Sequence, residues 1–303
     1  MCSREMAAGI PRLAAILFSC FGCLAVSAVR CRGHRLHGSQ VRTRVMASSG
    51  HSDAHGTGMP APNSVVGEDV LTPVRASGPA AAAAQGGQQS VYRILMTNQT
   101  DPYDRPVSAT EAASFAPAGD DFAGHDRKAA KLSISNAATE RFTDINDLVA
   151  SLVEDAKMIH HRPRITTNEA SGRTSEEDRN VRVRAFLYAA SREGDNDFHL
   201  MLGRNPTSDP MYMTMEVSGL PPHSSDAFDR IKHARDAYKQ FFGSKLPGPS
   251  YHFYRPPIPV EIEGSLFFDI THATGGHPGP PDLRPHIPTI WEVHPVTDIV
   301  FEP

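Results

Sequence analysis

Beyond residue 31 the chain has no cysteine: Cys2, Cys20, Cys23 and Cys31 are the whole set. Everything after them therefore lacks disulfides, thiolate metal ligands and a cysteine nucleophile. A basic surplus is also missing. The formal net charge is -4, and Ser151 to Pro303 holds 16 Lys+Arg against 21 Asp+Glu. Nucleic-acid binding draws most of its non-specific affinity from neutralised phosphates, so a nucleic-acid partner is not expected. Neither H-x-H nor H-E-x-x-H occurs, and the adjacent His160 and His161 would point to opposite sides of any strand. One tryptophan, Trp291, is present and reads as core.

What the chain does have is 25 prolines and 23 glycines in 303 residues, which suits short strands joined by many turns. That length allows one or two domains.

The N-terminal fifth reads as targeting sequence. Arg4 and Arg12 precede an apolar run from Leu13 to Val29, with Val26 and Ala28 as the small residues of a cleavage site. Residues 1–28 thus predict a secretory signal and an exported protein, periplasmic or extracellular. A membrane anchor is the rival, at the lower edge of the length that spans a bilayer. The acid-free Arg30–Arg44 stretch also fits an organelle transit peptide, and translation from Met46 would leave a cytoplasmic protein. Any membrane contact is expected through this segment alone. Residues 29–90, rich in Gly, Ala, Ser and Pro, read as a disordered linker because they offer too little apolar surface to offset ordering entropy.

Residues 91–163 form an accessory segment. It has a strand-like run at Val91–Met96 and a sequon at Asn98-Gln99-Thr100. Over 143–157, capped by Thr143 or Asp144, helical spacing of Ile145, Leu148, Val149, Leu152 and Val153 predicts a helix that packs on the following domain.

From 164 to 303 the pattern becomes mainly β, within an α+β class. Period-two runs lie at Val181–Tyr188, Asp197–Leu202, Tyr212–Val217, Val260–Asp269 and Thr289–His294, the last continued by Asp298–Phe301. A helix from Ser224 or Ser225 to about Phe242 separates the third run from the fourth, and Gly264 suits a bulge. Three strands, a helix and two strands is the order of a five-stranded OB-like barrel. A small α+β sandwich has the same order.

Three blocks carry a resemblance: Asp195-Asn196-Asp197-Phe198-His199-Leu200, Gly264-Ser265-Leu266-Phe267-Phe268-Asp269 with His272, and Trp291-Glu292-Val293-His294-Pro295-Val296. They resemble the DDFH(L), GxLFFDxxH and WExHPV blocks of an uncharacterised group of bacterial OB-fold-like proteins. The likeness reaches back through Phe122–Lys131 to about Tyr103 and covers about two thirds of the chain. It implies domain limits and brings no activity.

Polar residues interrupt these apolar strands. Asp197 and His199 share one face of the second strand, Glu216 lies on the third, Asp269 and His272 end the fourth, and Glu292 and His294 share a face of the fifth. Imidazoles and carboxylates without thiolates suit zinc, manganese or iron, so His199, Asp269, His272, Glu292 and His294 are the candidate ligands of a divalent metal. The plainer alternative is a polar outer face whose histidines merely satisfy hydrogen bonds. Phe186, Tyr188 and Tyr212, beside Asp197, His199 and Glu216, form a candidate ligand-binding platform, since outward aromatics on early strands stack ligands in many OB-folds. The same aromatics could instead lie beneath the 143–157 helix.

Three functions follow. The first is an exported, non-catalytic module that binds a small or polymeric ligand or a partner protein, with no cofactor required. The second is a metal-assisted hydrolase of nuclease or phosphodiesterase type. The third is a structural cell-envelope protein.

Overall fold

In the computed structural model, residues 62–73, 90–101, 119–274 and 276–301 are described. The expectations for the signal segment, for Met46 and for most of the linker fall outside them. Among these residues eight strands make one sheet: β1 Val65–Leu71, β2 Tyr92–Thr97, β3 Thr139–Phe142, β4 Asn180–Arg192, β5 Phe198–Gly203, β6 Tyr212–Val217, β7 His252–Phe268 and β8 Trp291–Phe301. Their order is β1-β2-β7-β8-β6-β5-β4-β3, with a further pairing of β7 to β4. Strand pairing therefore runs β4-β5-β6-β8-β7 and back to β4, a closed circuit of five strands. All its neighbours are antiparallel except β6 and β8.

These five are the strands expected from the sequence, and three more flank them. β1 lies inside the stretch read as linker. Its alternate residues bury little, but all its pairing is with β2, which supplies the hydrogen-bonding edge that composition does not reveal. β2 joins β7, and β3 joins β4 in parallel, so the accessory segment contributes strands to the same sheet. β7 begins eight residues earlier than the apolar alternation suggests. Pro256 and Pro257 fall where its pairing with β4 is interrupted, between Phe253 and Ile258, so their missing N–H groups break no ladder there. Gly264 marks the expected irregularity. The register against β8 shifts on both sides of it, and a side chain there would collide with the Pro295 carbonyl.

Among the described residues four α-helices accompany the sheet: α1 Lys128–Lys131, α2 Ile145–Ala150, α3 Asp155–Ile159 and α4 Phe228–Phe242. α4 follows β6, as the sequence order requires, and buries Phe228, Ile231, Ala234, Tyr238 and Phe242. The single helix expected over 143–157 is in fact two. Asp144 caps the first by accepting from the Asn146 N–H at 2.7 Å. At the break, Asp155 accepts from Thr289 Oγ1 and the Ile290 N–H, while the Val153 carbonyl accepts from Trp291 Nε1 at 2.8 Å. Bonds to the start of β8 thus replace helical bonds that the periodicity anticipates. Among the described residues no helix is long and apolar enough to cross a membrane.

The main core fills the inside of the circuit. Val183 and Leu187 of β4, Leu200 and Leu202 of β5, Met213 and Met215 of β6, Ile262 and Leu266 of β7, and Trp291 and Val293 of β8 meet there. Because side chains alternate along a strand, the intervening residues of β5, β6 and β8 face the other way. That second face carries the polar residues, and it is buried too.

Candidate functional site

The polar face is built by register. His199 of β5 stands opposite Glu216 of β6, and Thr214 of β6 stands opposite Glu292 of β8. Asp197 lies immediately before β5, and His294 lies two residues beyond Glu292 on the same face. Strands two and five of the expected set are both neighbours of strand three, so their polar residues converge. Segments outside the circuit close over them. The chain at 120–123 bonds to Leu220 and Asp195, and Gly219 is needed where it crosses: a Cβ there would lie 2.6 Å from Phe122 Cα. α1 then brings Lys131 over the layer, and the turn after β7 brings His272. Asp197, Glu292 and His294 are fully buried, and Asp269 and His272 keep 6% and 8% of their surface. A solvent-facing strand surface is therefore not what these residues form.

Three sets of ligand-type atoms lie mutually within 4.8 Å and could hold a metal ion: Glu193, His199 and Glu216; Asp197, Glu216 and His294; and Asp269, His272 and Glu292. They are not equivalent. His199 is engaged at both nitrogens, Nδ1 with Glu193 and Nε2 with Thr214 Oγ1 at 3.3 Å, so the hydrogen-bonded reading describes it well. His294 differs. Its Nε2 is 3.4 Å from Asp197 Oδ2, and its Nδ1 touches Glu216 Oε2 and lies 3.9 Å from Glu292 Oε2. The contact with Glu216 is an ion pair, whereas Nε2 forms no hydrogen bond, and both oxygens of Glu292 also lack a hydrogen-bond partner. Asp197 Oδ1 is satisfied by the Gly219 N–H at 2.6 Å; its Oδ2 is not. Buried polar atoms are almost always paired, so a group of unpaired ones aimed at each other could hold a metal ion.

Electrostatics agree. Glu193, Asp195, Asp197, Glu216, Asp269 and Glu292 crowd together, and against them stands the ammonium of Lys131, 3.3 Å from Asp195 and 3.8 Å from Glu216. Burial, with Asp195 and Glu216 alongside, lifts the Asp197 carboxyl well above the usual carboxylate range. Burial beside Glu216 and Asp269 does the same to Glu292. Glu216 goes the other way: burial opposes it, but Lys131 and His294 hold it well below. In Asp269, burial is outweighed by His272 and Lys131, which keep it low. Burial also depresses His294, against the pull of Glu216. The donor set of carboxylates and imidazoles fits a divalent cation.

The aromatic platform is not open. Tyr188 and Tyr212 pack edge to face, ring centres 5.0 Å apart, in a second core with Leu283 and Ile287 of the last loop. The Tyr188 hydroxyl donates to the Arg204 carbonyl at 2.8 Å, and burial pushes the Tyr212 phenol up to about 12. It is that loop that covers them, not the 143–157 segment. Phe186 is half-buried and lines a separate surface cavity of about 330 Å³ with Asp144, Arg184 and Arg204. Of the expected ligand-binding residues, Asp197, His199 and Glu216 therefore belong with the metal candidates, and the three aromatics do not.

Three contributors escape a reading of the strands. Glu193 and Asp195 sit in what reads as a polar turn, and Lys131 belongs to the Phe122–Lys131 block, where only the resemblance marks it. Comparison with protein-family models, with curated proteins and with solved structures finds no match to this chain.

Proposed function

We propose that the chain is a non-catalytic, OB-like module whose folded state and binding surface depend on a divalent cation held between β5, β6 and β8. The observation that carries this reading is the set of buried atoms without a hydrogen-bond partner: Asp197 Oδ2, His294 Nε2 and both oxygens of Glu292. Carboxylates and imidazoles without thiolates suit zinc, manganese or iron. A bound cation supplies the charge that these carboxylates lack, and the energy of holding it becomes folding energy. Complete burial of Asp197, His294 and Glu292 is the pattern of closed, structural metal sites. The OB-like assignment is supported by the strand circuit. Numbering its members in chain order gives 1-2-3-5-4-1, with α4 between the third and fourth. Export, with residues 1–28 removed, belongs to the proposal on the strength of the sequence.

The test is elemental analysis of the full chain, followed by thermal melting with EDTA and after re-addition of Zn²⁺ or Mn²⁺. A cation present at about 100 times its Kd adds about 2.7 kcal/mol of stability, so chelation should lower the melting temperature and re-addition restore it. A protein that carries no metal and melts identically in both conditions overturns the reading.

A metal-assisted hydrolase is the second reading, favoured by one observation. Asp195 and Lys131 keep 18% and 10% of their side chains exposed, a margin where water reaches the layer. In that reading the metal supplies an activated water or a polarised oxygen. Glu216 and His294 would hold it, and Lys131 would offset charge on a phosphodiester. Mn²⁺-dependent cleavage of bis-p-nitrophenyl phosphate, lost in Glu216→Gln with the fold retained, would favour this enzyme over the module.

A further inference from the structure

We infer that the buried layer is a two-cation centre, with the Glu292 carboxylate bridging its halves; this rests on the metal-dependent reading above and extends it. The two oxygens of Glu292 face different partners. Oε1 is 4.0 Å from His272 Nε2, and Oε2 is 3.9 Å from His294 Nδ1. Neither oxygen has a hydrogen-bond partner, and the side chain is fully buried. A carboxylate with both oxygens unsatisfied between two imidazoles is placed to serve one cation with each.

The donors divide accordingly. Asp197, Glu216 and His294 form the inner set; Asp269, His272 and Glu292 form the outer one, and within each the ligand atoms lie within 4.8 Å of one another. Bonds of about 2.0–2.2 Å limit the ligands of one ion to roughly twice that separation. The two sets stay separate at 4.8 Å, so the side chains as placed offer no single position within reach of all six residues. Charge supports the same count. Lys131 is engaged with Asp195, at 3.3 Å, closer than its approach to Glu216. With Glu193 against His199, the four carboxylates of the two sets, Asp197, Glu216, Asp269 and Glu292, match two divalent cations.

The halves differ in what they hold together. The inner one joins β5, β6 and β8. The outer one draws on His272, within the 3-10 turn Ile270–Thr274, which leads into the loop covering Tyr188 and Tyr212. Slight exposure of Asp269 and His272 makes the outer cation the exchangeable one.

The experiment loads the demetallated full chain with Mn²⁺ and reads stoichiometry by elemental analysis and coupling by electron paramagnetic resonance. The parent is expected to hold about two equivalents with a spin-coupled signal, as in other two-metal sites. His272→Ala should fall to about one equivalent with the spectrum of an isolated ion, and Asp269→Asn should behave alike if His272→Ala does not fold. One equivalent in the parent, two uncoupled ions, or two retained in either folded variant overturns the two-cation centre and leaves the metal-dependent module standing. No manganese or zinc at all overturns both.

Discussion

Arg173 holds the main-chain oxygen of His294 at 2.6 Å, and so ties the strand carrying the inner imidazole to the segment that covers it. The same guanidinium donates to the carbonyls of Ala130 and Ser133, at 2.9 and 2.8 Å, to Ser133 Oγ and to the Leu266 carbonyl. One side chain thus links α1, β7 and β8 around the polar layer. A planar fork with several fixed donors can do this; a lysine ammonium cannot reach acceptors spread so widely.

Arg173→Lys should therefore behave like Arg173→Ala. Each carbonyl left unsatisfied costs about 1–3 kcal/mol, and solvent reaches some of them, so a loss of about 2–3 kcal/mol is expected. Urea denaturation measures it. Cation affinity should weaken in parallel, because the His294 backbone loses its anchor. A lysine variant within about 0.5 kcal/mol of the parent, the range of neutral surface changes, would show that the fork is dispensable.

Much of this arrangement was legible in the sequence. Alternation along β5, β6 and β8 marks Asp197, His199, Glu216, Glu292 and His294 as sharing the face opposite Leu200, Met215 and Val293, and the strand circuit makes them neighbours. Alternation says which residues share a face, not what lies over it. The burial of that face depends on Phe122, Lys131 and the last loop, which are long-range contacts without a periodic signature. The same limit explains the aromatics: Tyr188 and Tyr212 do point away from the main core, but into a second one. β1 and the broken 143–157 helix have a related cause. Pairing with β2 orders an apolar-poor strand, and bonds from Asp155 and Val153 to β8 interrupt a well-spaced helix.

Arg127 and Glu177 form a fully buried ion pair through two bonds of 2.7 and 2.8 Å. Glu177 also accepts from the Thr174 and Phe268 N–H groups, and Arg127 donates to the carbonyls of Gly172 and Phe268. Removing one partner strands the other charge, which typically costs about 3–5 kcal/mol. Arg127→Met and Glu177→Gln should each destabilise by that order in urea titrations. The double variant should lose clearly less than the sum, because neither charge is then left alone. Additive losses would mean that the pair is not a unit.

Asp120 supplies a pH dependence through its contacts with α4. It contacts Arg235 at 3.1 Å and Lys239 at 2.5 Å, and although burial opposes them, these cations hold its carboxyl below the usual value. A lowered folded-state value means stability that is present above the unfolded value, about 3.9, and is lost as pH falls through the folded one. Parent and Asp120→Asn should differ in urea midpoint at about pH 6 and converge as the pH falls through the folded-state value. A gap unchanged by acid would assign the effect to packing.

Glu292 tests whether the polar layer serves the fold or the cation. In the absence of metal its carboxyl is buried, without a hydrogen-bond partner, and pushed well above the carboxylate range by burial, Glu216 and Asp269. Holding such a group costs about 1–3 kcal/mol, and an apolar side chain of similar size removes that cost. Glu292→Leu should therefore be as stable as the parent in EDTA, or more stable by up to about 3 kcal/mol. With Zn²⁺ or Mn²⁺ present the order should reverse, since the parent gains cation-linked stability that the variant cannot. Paired melting curves with and without metal decide it. A residue kept only for packing or hydrogen bonding would destabilise the chelated protein when replaced, and that result would remove Glu292 from the metal centre.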